Sequence, residues 1–380
     1  MKILINTSNL YVGGGVQVAL SFINELKELN MSYIYHIFLS LEINKQIEQE
    51  KFPNNFYFYI IDKSPASLKT RKKIVTYLNF LTEQIEPDIV FTIFGPSYWK
   101  PKTIHLTGFA DGWVYNPNSV AYDRLSFFKR IKMKLYGQYK SYYLKKDANY
   151  FILETIDAKK KLSKVLDIQK ENIFVVGNTH STIFNDKNFI NINNPNYIKL
   201  PEKEKDEYRL IYIAHNHISK NLQVINEILP FLKNENIKFV LTLDDNSFNE
   251  IFPNQPKQIL NIGVIKQKSC PSVYKQCDAL FAPTLLETFS AIYPEAMKMK
   301  KPILTSNYSF AIDVCQNAAF YFDPLDPKDI ADKIITLSKN KKLQQKLIRK
   351  GIQRLKSFET AEGRARKYIQ ICEQIVNLQI

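Results

Sequence analysis

Two carboxylates, Glu287 and Glu295, stand with seven residues between them in the segment TLLETFSAIYPEAMKMKKPILTSN, Thr284 to Asn307. A carboxylate that accepts two hydrogen bonds from neighbouring hydroxyls suits a ribose or a hexose, so two of them could grip both sugars of one ligand. The same pair could serve as acid and base of a hydrolase. Glu295 could also simply cap or solvate a helix face. Glu287 falls just after the apolar run ALFAPT, and Glu295 falls within SAIYPEAMKMK, where Pro294 restricts the point at which a helix can begin.

Groups suited to an anionic ligand occur in two other places. LIYIAHNHISKNLQVINEIL carries His215, His217 and Lys220 between a strand-like run and a helix-like one. Lys220 could neutralise a diphosphate as a point charge near a helix start, or be an ordinary solvated lysine. His215 and His217 lack a third ligand in sequence, which argues against a metal site. Near the N-terminus, Gly13, Gly14 and Gly15 precede a segment with helical periodicity. Three glycines allow close approach of backbone to a ligand, and a helix N-terminus suits a phosphate; a plain glycine turn is the alternative. The spacing is neither GxGxxG nor GxxxxGK[ST], which removes support for a nicotinamide dehydrogenase and for a P-loop kinase.

The elements that must position these groups follow a β-then-α rhythm. KILIN, YIYHIFLS, FYFYII, DIVFTIF, TIHLTGF, NYFILE and IFVVG recur in the first half, with helical spacing between several of them. A polar stretch interrupts the rhythm, and LIYIAH, IKFVLTL, ILNIGV, ALFAPT, KPILTS and AFYFD restart it. The expected fold class is therefore α/β, two Rossmann-like doubly wound domains facing a cleft. Residues 1–185 form the first domain, 186–208 a linker, 209–362 the second domain and 363–380 a terminal helix. Ligands of open parallel sheets sit beyond the carboxyl ends of the strands, which is where Lys220 and Glu287 fall.

The chain of 380 residues carries 52 Lys+Arg against 37 Asp+Glu, and its net charge of +15 attracts an anionic partner without choosing it. Nucleic acid loses support because no helix-turn-helix, zinc-finger or RNP pattern is present. The N-terminal apolar run is too short for a signal peptide, and no run has membrane length, so a cytoplasmic protein is expected. Cys270, Cys277, Cys315 and Cys372 form no CxxC pair and read as buried free thiols. From Ser126 to Asp147, Phe128, Ile131, Leu135, Tyr139 and Tyr142 recur at helical spacing while Lys129, Arg130, Lys132, Lys134 and Lys140 decorate the remaining surface. This is either an ordinary packed helix with solvated lysines or a peripheral contact with an anionic membrane at its inner face.

The segment ETFSAIYPEAM resembles the E-x7-E signature of retaining glycosyltransferases of family 4, usually written EGFGLPxxEAM, with Glu287, Phe289, Glu295, Ala296 and Met297 in register. The resemblance extends through NIGVIKQKSCPSVYKQCDALFAPTLLE, KPILTSNYSFAIDVCQNAAFYFDPLDPKDIADKI and YFILETIDAKKKLSKVLDIQKENIFVVGNTHSTIF. It implies the GT-B fold, with the first domain on the acceptor side, the second binding a nucleotide-sugar, and a terminal helix crossing back to the first. It implies a bacterial hexosyltransferase of surface-polysaccharide biosynthesis (capsule, O-antigen or exopolysaccharide). Such an enzyme transfers sugar from a nucleotide-sugar donor to a glycan or lipid-linked acceptor, with retention. No cofactor and no required metal are implied, because positive charge and backbone dipoles stabilise the departing diphosphate.

Under this resemblance Glu287 would hold hydroxyls of the donor sugar, Glu295 the donor ribose, and Lys220 the diphosphate. Gly13, Gly14 and Gly15 would let the first domain close over it. Ser290 and Ala291 would offer backbone N–H groups beside Phe289. The chain departs from the pattern in three places. Ala214, His215 and Asn216 replace the frequent Gly-Arg, so one diphosphate contact is missing or supplied by His215. Thr288 and Ser290 replace two glycines and narrow the donor pocket. In TIHLTGFADGWVYNP, His105 and Asp111 are the candidates for the family's catalytic His-Asp, although His105 lies in an apolar strand, where a core histidine is the safer reading. The rival classes are a sugar-nucleotide epimerase or phosphorylase of the same architecture and a non-enzymatic anionic-polymer binder.

Overall fold

The computed structural model describes residues 1–29 and 31–378. Its first sheet is built from β1 (Lys2–Asn6), β2 (Ile34–Ser40), β3 (Phe56–Ile61), β4 (Ile89–Thr92), β5 (His105–Gly108), β6 (Tyr150–Leu153) and β7 (Ile173–Val175). The helices between them are α1 (Gly14–Leu29), α2 (Leu41–Asn44), α3 (Arg71–Ile85), α4 (Gly112–Tyr115), α5 (Phe127–Asp147) and α6 (Ile156–Leu166). The second sheet contains β8 (Tyr208–Tyr212), β9 (Ile237–Leu241), β10 (Ile259–Asn261), β11 (Ala279–Ala282), β12 (Ile303–Ser306) and β13 (Ala319–Phe322). With it go α7 (Val224–Ile228), α8 (Asp245–Ile251), α9 (Cys270–Gln276), α10 (Ile292–Lys298), α11 (Ser309–Cys315), α12 (Pro327–Lys339) and α13 (Lys341–Leu355). A terminal helix, α14, spans Ala361–Asn377.

The strand orders are β3-β2-β1-β4-β5-β6-β7 and β10-β9-β8-β11-β12-β13. Every described strand pair is parallel, for instance Ile3 with Ile89 and Leu280 with Ile303. Strands buried on both faces explain the near-continuous apolar runs, since helices cover each side. The doubly wound α/β expectation thus holds for both units. Strand order reverses between β1 and β4 in the first sheet and between β8 and β11 in the second, and a crevice at the carboxyl end of each reversal is the standard ligand position.

The first unit comprises Met1–Pro117, Phe128–Asn178 and Glu359–Ile380; the second comprises Asn118–Phe127 and Thr179–Phe358. Sequence alone put these boundaries near 185 and 362. Packing accounts for the difference. Phe184 enters the core of the second unit, whereas α14 places Ala365, Tyr368, Ile369, Cys372 and Ile375 in the core of the first. Tyr368 lies edge-on to Phe22 at 5.2 Å and to Phe91 at 5.3 Å, so the terminal helix is integral to that core.

The polar stretch before β8 is fixed to the second unit by its backbone. Ile198 N donates to Ser272 Oγ at 3.0 Å, and Leu200 N to Gln276 Oε1 at 2.9 Å. The buried Arg209 guanidinium bonds Glu207 and the Pro201 carbonyl, which holds the entry to β8. All four cysteines are free and buried. No described helix is long and apolar enough to cross a membrane.

Candidate functional site

The second unit gathers its polar groups at the β8/β11 reversal. After β8 the chain turns through Ile218–Lys220, with His217 as N-cap: its Nδ1 accepts from Ser219 N at 3.3 Å. After β11 it continues irregularly to Glu287. Three bonds tie these loops together. Leu285 N donates to Ser219 O at 2.7 Å, and the buried Tyr212 hydroxyl reaches Thr284 Oγ1 at 2.9 Å and Lys220 O at 3.2 Å. The result is that Lys220 Nζ donates to Glu287 Oε2 across 67 residues of sequence.

Both side chains of this ion pair are mostly shielded from water. Burial disfavours the Lys220 ammonium, but the Glu287 carboxylate, helped by Tyr212, more than offsets it, and the lysine pKa ends above its ordinary value. His215 belongs to the same electrostatic neighbourhood. Burial lowers its pKa, Lys220 lowers it further, and Glu287 partly opposes both. Its ring lies 6.0 Å from that of His217, and no group of three or more metal-ligating side chains occurs among the described residues.

Glu295 is placed differently from a simple helical reading. Residues from Leu285 to Ala291 are not helical, and α10 begins at Ile292, with Pro294 in its first turn, where the missing N–H costs nothing. Glu295 follows at the end of that turn, its own N–H bonded to Ala291 O at 3.1 Å. Its carboxyl is almost fully buried, and desolvation alone pushes the pKa up to about 7. Ser290 is buried and Ala291 is the N-cap residue of α10. Phe289 turns inward, its ring edge-on to Phe358 at 5.9 Å, so it anchors the loop from the core side.

In the first unit the expected residues separate. Gly13 has φ +76°, a left-handed conformation that favours glycine, and α1 starts at Gly14. A side chain at Gly15 would press on Leu10 and Phe94 at 3.4 Å. Asp111 caps α4: Oδ1 accepts from Trp113 N at 3.0 Å, while Oδ2 takes the Lys140 ammonium at 2.6 Å. Lys140 is therefore not the solvated lysine its place in α5 suggests.

His105 takes the core position that its apolar strand suggests. It is the buried first residue of β5, with Nδ1 2.6 Å from the Asp147 carbonyl and Nε2 2.8 Å from Thr92 Oγ1. A carbonyl only accepts, so Nδ1 carries the proton and Nε2 accepts from the threonine hydroxyl. Burial lowers the pKa to about 4. Both ring nitrogens are occupied inside the core, which leaves no atom to exchange a proton with a substrate.

Residues 193–354 match the family model described as Glycosyl transferases group 1. The matched segment runs from the polar stretch before β8 through nearly all of α13, and contains Lys220, Glu287 and Glu295. Over 164 residues the chain is 27% identical to the capsular polysaccharide biosynthesis glycosyltransferase CapM of Staphylococcus aureus. That similarity covers 42% of this chain and 40% of CapM, so it spans well under half of either protein. Over its whole length the fold is similar to a glycosyltransferase from Rickettsia africae ESF-5, with TM-score 0.70 and 17% identity over 99% of this chain and 98% of the other. Anabaena Alr3699/HepE, solved with UDP and glucose, gives TM-score 0.67 and 11% identity over 98% and 99%. At these identities the likeness establishes the fold alone, two Rossmann-like units as in the GT-B glycosyltransferase structures.

Sequence reasoning singled out Lys220, His215, Glu287 and Glu295 as candidates but missed what positions them. Tyr212 and Thr284 read as ordinary ends of apolar strands. Their only signal is a hydroxyl at the last residue of one strand and just past the end of its future neighbour.

Proposed function

We propose that this chain is a glycosyltransferase that moves a hexose from a nucleotide-sugar donor to a glycan or lipid-linked acceptor in surface-polysaccharide assembly. The observation that carries the reading is the Lys220–Glu287 pair at the β8/β11 reversal, inside the segment matched by the group 1 family model and followed there by the buried Glu295. The HepE structure contains UDP, which makes uridine diphosphate conjugates the first donors to test.

In this reading Lys220 takes the diphosphate, Glu287 accepts from hydroxyls of the sugar, and Glu295 accepts from the ribose. The bond between sugar C1 and the diphosphate oxygen breaks with its electron pair leaving on the diphosphate, where Lys220 and the backbone N–H groups of Ser290 and Ala291 stabilise the charge. The acceptor oxygen bonds to C1 on the same face and passes its proton to the departing diphosphate oxygen, which retains the configuration. His215 supplies the second diphosphate contact. In the same reading Gly13 to Gly15 are assigned to donor contact and Asp111 to the acceptor hydroxyl. The cytoplasm, where nucleotide-sugars are made, is the assigned compartment.

The test is donor consumption with and without acceptor. Purified protein is incubated with labelled UDP-hexoses and a lipid-extract acceptor, and products are separated by anomeric configuration. Acceptor-dependent transfer with an α-linked product from an α-linked donor is expected. Epimerised sugar or sugar phosphate without acceptor would replace this reading with that of an epimerase or phosphorylase.

A further inference from the structure

The helix α5 buries one face and displays a second apolar one. Gly137, Leu144 and Asp147 are its buried residues. At about 100° per residue these lie on one side of the helix, whereas Phe128, Ile131, Leu135 and Tyr142 fall within an arc of roughly 60° on the other. The four are 81%, 43%, 60% and 59% exposed. An ordinary packed helix would turn such a stripe inward.

Cations border the stripe on both sides. Lys132 falls along one flank, Lys134 and Lys145 along the other, and Lys146 lies in line with Phe128 at the edge of the stripe. The helix carries seven basic residues and a single acid, Asp147, which is buried at its C-terminus. Next to that end lies a cavity of about 390 Å³ whose wall combines Ser141, Tyr142, Val165 and Leu166 with Lys145, Lys146 and Asp167. Two ammonium groups against one carboxylate leave this wall with a net positive charge beside an aliphatic surface.

We infer that the exposed stripe of α5 is a docking surface for an anionic lipid bilayer, with Phe128, Ile131, Leu135 and Tyr142 entering the headgroup boundary and the flanking lysines meeting lipid phosphates. Charge complementarity selects this occupant. A nucleic acid would use the cations but gain little from an aliphatic stripe, and a second copy would bring the same surplus of positive charge against itself.

The experiment is co-sedimentation of the full chain with vesicles, without any nucleotide, so that it does not depend on the transferase reading. With vesicles containing phosphatidylglycerol at low salt the protein is expected in the pellet. Binding should fall at least tenfold in about 0.5 M salt and be absent with pure phosphatidylcholine. The double variant Phe128→Ser/Leu135→Ser should lose at least tenfold in affinity with every cation intact. Lys132→Glu/Lys134→Glu should lose a similar amount with the stripe intact, and because both pairs are exposed the unfolding temperature checks that each variant is folded. Three results would overturn the assignment: no pelleting of the parent protein at low salt, undiminished pelleting of the serine variant, or equal affinity for an oligonucleotide. A stable dimer that the serine variant dissolves, without vesicle binding, would overturn it in favour of self-association.

Discussion

Lys220 and Glu287 are bonded to one another although each is assigned to a different part of the same donor, the lysine to the diphosphate and the glutamate to the sugar. The donor must therefore enter between charges that already neutralise each other. Glu287→Gln removes the counterion and keeps the shape. We expect sugar transfer to fall by a factor of a hundred or more, while affinity for the bare nucleoside diphosphate holds or rises, because Lys220 is released. Isothermal calorimetry beside a transfer assay separates the two, and a parallel loss of both would place Glu287 outside the sugar site.

Glu295 gives a pH signature. Its pKa in the folded protein is about 7 against an ordinary value of 4.5, so between these limits the folded state binds a proton that the unfolded state has lost. Stability from this group is complete below about pH 4.5, declines as pH rises toward 7, and is flat above, a span on the order of 3 kcal/mol. Ribose hydroxyls donating to the carboxylate favour its charged form, so donor binding should release a proton and strengthen across the same range. Unfolding temperature against pH should show the decline in the parent protein and its loss in Glu295→Gln. An identical slope in both would refute the assignment.

What was legible in the sequence was local. KILIN and ALFAPT declare themselves because a parallel strand is buried on both faces, and Lys220 and Glu287 could each be placed just beyond a strand end. Their pairing was not legible, because it depends on β8 lying beside β11 with Ala279 opposite Leu210. His105 illustrates the reverse difficulty: a chemically capable residue type says nothing about which strand position points into the core. Lys140 looked like one more surface charge until folding brought α5 against the cap of α4.

His215 shares the electrostatic neighbourhood of Lys220 and Glu287, and burial lowers its pKa below the ordinary histidine value. A bound diphosphate favours the protonated ring, so nucleotide affinity should increase as pH falls through the histidine range. His215→Arg should remove that dependence and tighten diphosphate binding several-fold, since arginine is always charged. His215→Ala should weaken it. If neither variant changes affinity, His215 does not touch the diphosphate.

Tyr368 joins the terminal helix to Phe22 and Phe91. Tyr368→Ala should cost about 3–5 kcal/mol, the usual range for deleting a buried aromatic ring. The cost should fall on the first unit. In calorimetry we expect one unfolding transition to move down by several degrees while the one stabilised by nucleotide stays in place. Equal displacement of both would mean the units unfold as one.

The stabilising charges assigned to the diphosphate are protein groups, so transfer should continue in excess EDTA at more than half its rate. Loss of activity that manganese or magnesium restores would require a metal in the donor complex.

The most direct measurement is thermal unfolding against a panel of nucleoside diphosphates, run on the parent protein and on Lys220→Ala. A ligand at 100 times its dissociation constant stabilises by about 2.7 kcal/mol, a shift of roughly 5–10 °C for a domain of this size. The account predicts such a shift for one nucleotide in the parent and its near-disappearance in Lys220→Ala, each read against its own baseline. A panel without any shift, or a shift that survives the loss of Lys220, would contradict a donor site at the β8/β11 reversal.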